Sequence, residues 1–283
     1  MHNRSIRQNK FNLPSMKSLW KELGGYDALV EYNECAVRHL IKSWQIALEK
    51  GVSSRDFIKT KSSEVDINLG DMAIDKYRQE MYQWYLIHPY GCIDKFVPLF
   101  KEDLKAFGFD INLDFKDKNE LEKLVHGLKQ AGITITVEDY KFNLDKYYRR
   151  CRNLLAHKLD DKERAKIHKL YTEIDIIEVR KFYPTLKGAL SESLKLTFDD
   201  YTLCTANLKN ISDTLTTNIF GAVDWSKYNI IKDMPHIKKV NQYNDEAKSN
   251  RGIQNAIRSK YGVTLPYETI DKIRNNMAHS NNG

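Results

Sequence analysis

The chain lacks most of the local signatures that would assign it quickly. No run of about 20 apolar residues occurs, so no membrane-spanning helix is expected. Cysteines number only four, Cys35, Cys92, Cys151 and Cys204, and stand far apart without a Cys-x-x-Cys pair. That spacing excludes a zinc ribbon or a disulfide framework and reads as buried thiols in a reducing compartment. There is no Gly-rich phosphate loop, no His-Glu-x-x-His and no paired-Asp signature, and His39, His88, His126, His168 and His236 have no companion at ligand spacing. Neither a metal nor a nucleotide cofactor is expected. No linker rich in Gly, Ser or Pro divides the chain. Met1 to Lys10 is polar and basic with no apolar core of a leader, which points to the cytoplasm.

What is present suits a packed protein. Of the 283 residues 41% are hydrophobic, enough for a real core, and 29% are charged, enough for a solvated surface. The net charge of +7 favours phosphate-rich partners, since each Lys or Arg docked on a phosphate releases condensed counterions. Charge alone permits nucleic-acid binding without establishing it.

Apolar residues recur at helical spacing along most of the chain. Helices are expected over 26–48, ending at Gly51, over 70–88, closed by Pro89 and Gly91, and over 93–107. The pattern resumes at 119–130, 137–158 and 162–174, then at 179–196, 198–220, more loosely at 225–243, and at 245–261 and 266–279. Segments 56–71 and 109–117 do not read as helix, and Ile133-Thr-Ile-Thr-Val137 alternates as a strand would. The expected fold is therefore mostly α, helices packed as bundles with at most a minor β element, in two halves, 1–175 and 176–283. The aromatic stretches 82–90 and 225–243 are assigned to the core, because aromatics at helical spacing are core far more often than they are base-stacking platforms.

One repetition stands out. Arg152-Asn-Leu-Leu-Ala-His157 and Arg274-Asn-Asn-Met-Ala-His279 agree at Arg, Asn, Ala and His. From the chain's 13 Arg, 21 Asn and 8 His, random placement gives about 0.03 copies of Arg-Asn-x-x-x-His, against two found. In the first helix Tyr140, Leu144, Tyr147, Tyr148, Cys151, Leu154 and Leu155 form the apolar stripe, and Asn153 and His157, four apart, fall off it. In the second, Pro266 stands at the start, Ile270, Ile273 and Met277 are apolar, and Asn275 and His279 fall opposite.

Those residue types fit one reaction. RNA carries its own nucleophile, the 2′-OH, so cleavage needs proton movement and a cation on the phosphorane, without an obligatory metal. Two histidines divide acid and base, two arginines hold the scissile phosphate, and each Asn fixes the tautomer of an imidazole one turn away. Arg149, Arg150 and Lys158 beside the first motif are candidate RNA-phosphate contacts, although the helix dipole also favours a basic last turn, by about 0.3–1 kcal/mol per cation.

Arg, a polar residue, three more and His near the end of a helix in an all-α protein resembles the HEPN superfamily. The resemblance covers the two hexapeptides and the helical character around them. It implies two HEPN-like units packed as a pseudo-dimer, an endoribonuclease site made where the two motifs meet, and a place in anti-phage defence or a toxin system. It also implies restraint by an antitoxin or an activating protein or RNA partner. The site would be intrachain or formed across a homo-oligomer. Some HEPN toxins carry a Tyr two residues after the His; here Leu159 and Asn281 stand there, so control through that Tyr is not expected. The alternative is a non-catalytic HEPN-like module that binds RNA or protein.

Overall fold

A computed structural model describes residues 10–68, 73–116, 118–157, 161–242 and 245–279, with the side chains of 155–157, 240–242 and 278–279 outside the described part. Every regular element among the described residues is helical. In chain order these are α1 (Pro14–Glu49), α2 (Ser54–Ser63), α3 (Ile74–Tyr85), α4 (Ile87–Lys105), α5 (Glu120–Gln130), α6 (Asp139–His157) and α7 (Asp161–Thr172). There follow α8 (Ile176–Phe182), α9 (Phe198–Ala222), a 3-10 turn (Trp225–Lys227), α10 (Ile230–Asp233), a 3-10 stretch (Pro235–Gln242), α11 (Glu246–Tyr261) and α12 (Tyr267–His279). The mostly-α expectation holds. Among the described residues no helix is long and apolar enough to cross a membrane.

Four local expectations are corrected. Segment 56–71, expected to be irregular, is helical as far as Ser63 in α2, because Ser53 caps that helix by accepting the Asp56 N–H at 3.1 Å. The expected strand at 133–137 has no partner strand among the described residues. Its alternation is real, since Ile133 and Ile135 are buried and Thr134 and Thr136 exposed, but it serves an extended connection that plugs two side chains into the core. Pro89 does not close a helix: the chain breaks at Leu86, and Pro89 sits in the first turn of α4, where an N–H has no helical acceptor to lose. That shift also turns α3, which buries Ile74, Met81, Tyr82 and Tyr85 and leaves Trp84 68% exposed. The helix expected over 179–196 stops at Phe182. Pro184 and the positive φ of Leu190 (54°) and Leu194 (65°) are incompatible with its continuation.

The chain divides into two compact units, with boundaries inside α1, α4 and α9 and at 138/139. The expected boundary near residue 175 falls inside the second unit, at the start of α8. The first unit contains 1–21, 92–138 and 209–283. Its core includes an aromatic cluster in which the Phe107 ring lies 5.4 Å from Trp225, 5.5 Å from Tyr228 and 5.1 Å from Tyr261, with Phe11 and Phe220 against it. Asp233 gathers the polar ends of this cluster, accepting from the Tyr261 hydroxyl at 2.6 Å, from Lys260 at 2.6 Å and from the Tyr228 hydroxyl. Helix α11 opens on the Asp245 cap and ends at Gly262, whose φ of 75° and close approach to the Lys10 carbonyl leave no room for a Cβ.

The second unit contains 22–91 and 139–208, with α6 packed against α3 and α7. Tyr140, Leu144, Tyr147, Tyr148, Cys151 and Leu154 are all buried, each large apolar side chain contributing about 1.5–3 kcal/mol. Two of their hydroxyls are tied down: the Tyr148 hydroxyl donates to Asp200 at 2.8 Å, and Tyr147 accepts the Leu194 N–H at 3.1 Å. Of the aromatic segments assigned to the core, Tyr82, Tyr85, Tyr90, Trp225 and Tyr228 are buried, Trp84 is exposed, and Tyr243 lies outside the described residues. Of the cysteines, Cys92, Cys151 and Cys204 are buried, while Cys35 is exposed on α1, contrary to expectation.

Candidate functional site

Each motif lies on one helix, the first on α6 (Asp139–His157) and the second on α12 (Tyr267–His279), and in both the described helix reaches as far as the motif histidine. From Arg to His each motif rises about 7.5 Å along the axis, with Asn and His four apart on one side. The opposite sides are anchored. Leu154 and Cys151 are buried behind the first motif, and Ile270, Ile273 and Met277 behind the second, so the backbone that presents each motif is held by core packing. The Pro266 carbonyl accepts the Ile270 N–H at 3.1 Å and starts α12 where the sequence places it.

Motif one lies in the second unit. Arg152 and Asn153 are half-buried, and Arg152 donates to the Asn153 Oδ1 at 3.0 Å, so the guanidinium and the amide form one hydrogen-bonded pair. Of the expected RNA contacts nearby, Arg149 is half-buried with its guanidinium 4.6 Å from the centre of the buried Tyr90 ring, a cation–π contact that ties it to the core. Arg150 is exposed and pairs with Glu163 in the first turn of α7 at 2.8 Å. Glu163, shared by Lys166 and Arg150, is held below the ordinary carboxylate pKa by those two cations. Lys158 lies outside the described residues, and of His157 the helical backbone is described but not the ring.

The second motif lies in the first unit. Arg274 is only 14% exposed and carries two carboxylates, Glu246 at 2.9 Å and Asp271 at 2.6 Å. Its hydrogen bond to Glu246 and that to Asp271 outweigh desolvation and raise its pKa, so the guanidinium is permanently cationic yet locally neutralised. Asn275 is exposed, and Asn276 donates to the Ser226 carbonyl at 2.7 Å. The His279 ring, like that of His157, lies outside the described side chains.

No family model, curated protein or solved structure matches this chain. The site is therefore read from its own residues. Among the described residues no group of three or more His, Cys, Asp or Glu is arranged to hold a metal ion.

Two participants escaped the sequence reading. Asp271 was legible in principle, since it precedes Arg274 by three residues and shares its helix face. Glu246 was not, because its pairing with Arg274 depends on how α11 packs against α12. The motifs also differ at this level: the residue three before Arg152 is Arg149, so the first motif has no counterpart to Asp271.

Proposed function

We propose that this protein is a metal-independent endoribonuclease of the HEPN kind, with one composite site built from the two Arg-Asn-x-x-x-His motifs. The observation that carries the reading is the equivalence of the motifs: each lies on a helix whose apolar side is buried, with its Asn off that side. A solvated surface gives no reason for that coincidence to occur twice.

In the reaction, one imidazole removes the proton of the 2′-OH, O2′ bonds to phosphorus, the P–O5′ bond breaks, and the other imidazole protonates O5′. The products are a 2′,3′-cyclic phosphate and a 5′-hydroxyl. Arg152 and Arg274 neutralise the charge that grows on the phosphorane oxygens. Asn153 and Asn275, one turn from the histidines, orient the rings. Arg150 and Lys158 extend the basic surface along the RNA; Arg149, tied to Tyr90, is given the lesser part. A role in anti-phage defence or as a toxin, with an antitoxin or activator as restraint, and a cytoplasmic location go with this reading.

The test is cleavage of an RNA and of the same-sequence DNA in excess EDTA. The reading requires RNA products ending in cyclic phosphate and intact DNA; full dependence on an added metal would overturn it. A second reading, a non-catalytic RNA- or protein-binding module, is favoured by one observation, the two carboxylates on Arg274. Tight RNA binding without cleavage would select it. Mixing His157→Ala with His279→Ala chains separates an intrachain site from one shared by two copies, since only the second arrangement regains activity on mixing.

A further inference from the structure

A shallow cleft of about 90 Å³ opens on the first unit between α12 and the Trp225–Asp233 segment. Lys227, Tyr228, Asn229 and Asn276 line it, together with the buried Ile273 and Met277. It has room for several waters, on the scale of one planar ring. Its place on α12 is what gives it meaning. Asn276 lies three residues before His279, about 4.5 Å lower along the axis and on nearly the same side. A phosphate at the His279 end would have the base of its own nucleotide about one ribose away, at this cleft.

The cleft belongs to the second motif only. Where α12 has Asn276, exposed and bonded to the Ser226 carbonyl, α6 has Leu154, which is buried. An exposed Asn thus stands at a motif position that the other copy uses for packing.

The polar groups at the rim set the chemistry. Asn229 uses its Oδ1 to accept the Lys232 N–H at 3.0 Å, which leaves the amide N–H₂ to donate. Lys227 is 84% exposed and its pairing with Asp224, at 3.2 Å, is the weak kind that a ligand displaces. The Tyr228 hydroxyl donates to Asp233, which fixes the ring in the wall. Donors thus dominate the rim, and they match bases whose edges present carbonyl oxygens, as uracil and guanine do.

We propose that this cleft is the base-binding subsite of the second motif and takes a keto base, uracil or guanine, next to the scissile phosphate. The inference rests on the ribonuclease reading and names its specificity. Asn229→Asp is the informative variant, because Asp keeps the helix cap while removing the amide donor and placing negative charge against the carbonyl edge. Mapping of RNA ends should show cleavage beside uracil or guanine in the wild type. The variant should lose that preference by about tenfold, through KM more than kcat, with an unchanged melting temperature. Titration of the intact protein with uridine 3′-monophosphate should shift the amide signals of residues 226–230 and 276, and adenosine 3′-monophosphate should shift them less. An unchanged preference in Asn229→Asp, or uridine shifts that fall elsewhere, would overturn the subsite. Cleavage without any mononucleotide shift at millimolar concentration would sink the subsite and leave the nuclease standing. Shifts at these residues without any cleavage would keep the subsite as a binding site and sink the nuclease.

Discussion

Asp200 holds the helix that presents the first motif, and its removal tests that support quantitatively. The carboxylate is 2% exposed and accepts four hydrogen bonds: from the Tyr148 hydroxyl at 2.8 Å, the Leu190 N–H at 2.9 Å, the Thr197 N–H at 2.9 Å and the Thr197 hydroxyl at 2.8 Å. Tyr148 stands one turn before Arg152 on α6, so these bonds join the motif helix to the start of α9. In Asp200→Asn the amide keeps two acceptor bonds but turns an N–H₂ against the Thr197 N–H, stranding a buried donor at a cost of about 1–3 kcal/mol. The surviving bonds also lose their charge assistance. Against this, burial raises the Asp200 pKa despite the donors around it, so a neutral side chain recovers part of the desolvation cost. The net expected loss is about 2 kcal/mol. Tyr148→Phe, which removes a single donor, should cost about 1.5 kcal/mol, and Asp200→Ala, which strands all four, should cost the most. Urea unfolding followed by circular dichroism reads the order directly. An Asp200→Asn midpoint equal to or above that of the wild type would refute the reasoning, by showing that the buried charge costs more than its bonds return.

Glu246→Gln should leave folding nearly unchanged, because Glu246 is 73% exposed and such a pair is worth under about 1 kcal/mol. It should raise RNA affinity in filter-binding assays at low salt, with the gain fading at high salt, and a loss of affinity would mean that Glu246 positions Arg274 instead of competing for it. Burial would raise the Asp233 pKa, but the bonds from Lys260, Tyr228 and Tyr261 outweigh it and hold the group below its ordinary value. Its stabilising contribution is therefore present above the unfolded pKa of about 3.9 and lost as pH falls through the lower folded value. Asp233→Asn should accordingly be less stable than the wild type at pH 7, and the difference should shrink below about pH 4 in urea titrations. Thiol titration of the native protein should find Cys35 alone reactive; Cys151 is buried with its pKa pushed up to about 12, and Cys92 and Cys204 should join only on denaturation.

Much of the fold was legible because helical periodicity is written in burial. The α6 stripe, Tyr140 to Leu154, and the α12 set, Ile270, Ile273 and Met277, are buried as their spacing requires. The departures have local causes. Alternation at 133–137 reports which side chains are buried, and burial alone does not supply a partner strand. The Ser53 cap of α2 competes with a polar composition that hides the helix, and the turn after Phe182 is fixed by Arg180, which donates to the Ala189 carbonyl at 2.7 Å. Within the site, the Arg and Asn of each motif were visible in sequence, while the Asp271 partner was missed although its spacing from Arg274 could have shown it. The Glu246 contact arises from the packing of α11 on α12, and the cleft beside Asn276 from the short elements Trp225–Lys227 and α10, which carry no periodicity of their own.

The central claim is that two histidines from two motifs act on a single phosphodiester. Single-turnover cleavage of RNA in EDTA by His157→Ala and by His279→Ala tests it most directly. Each substitution alone should lower the rate by about 10²–10⁴-fold while both variants still bind RNA and stay folded. Wild-type cleavage by either single variant would contradict the account.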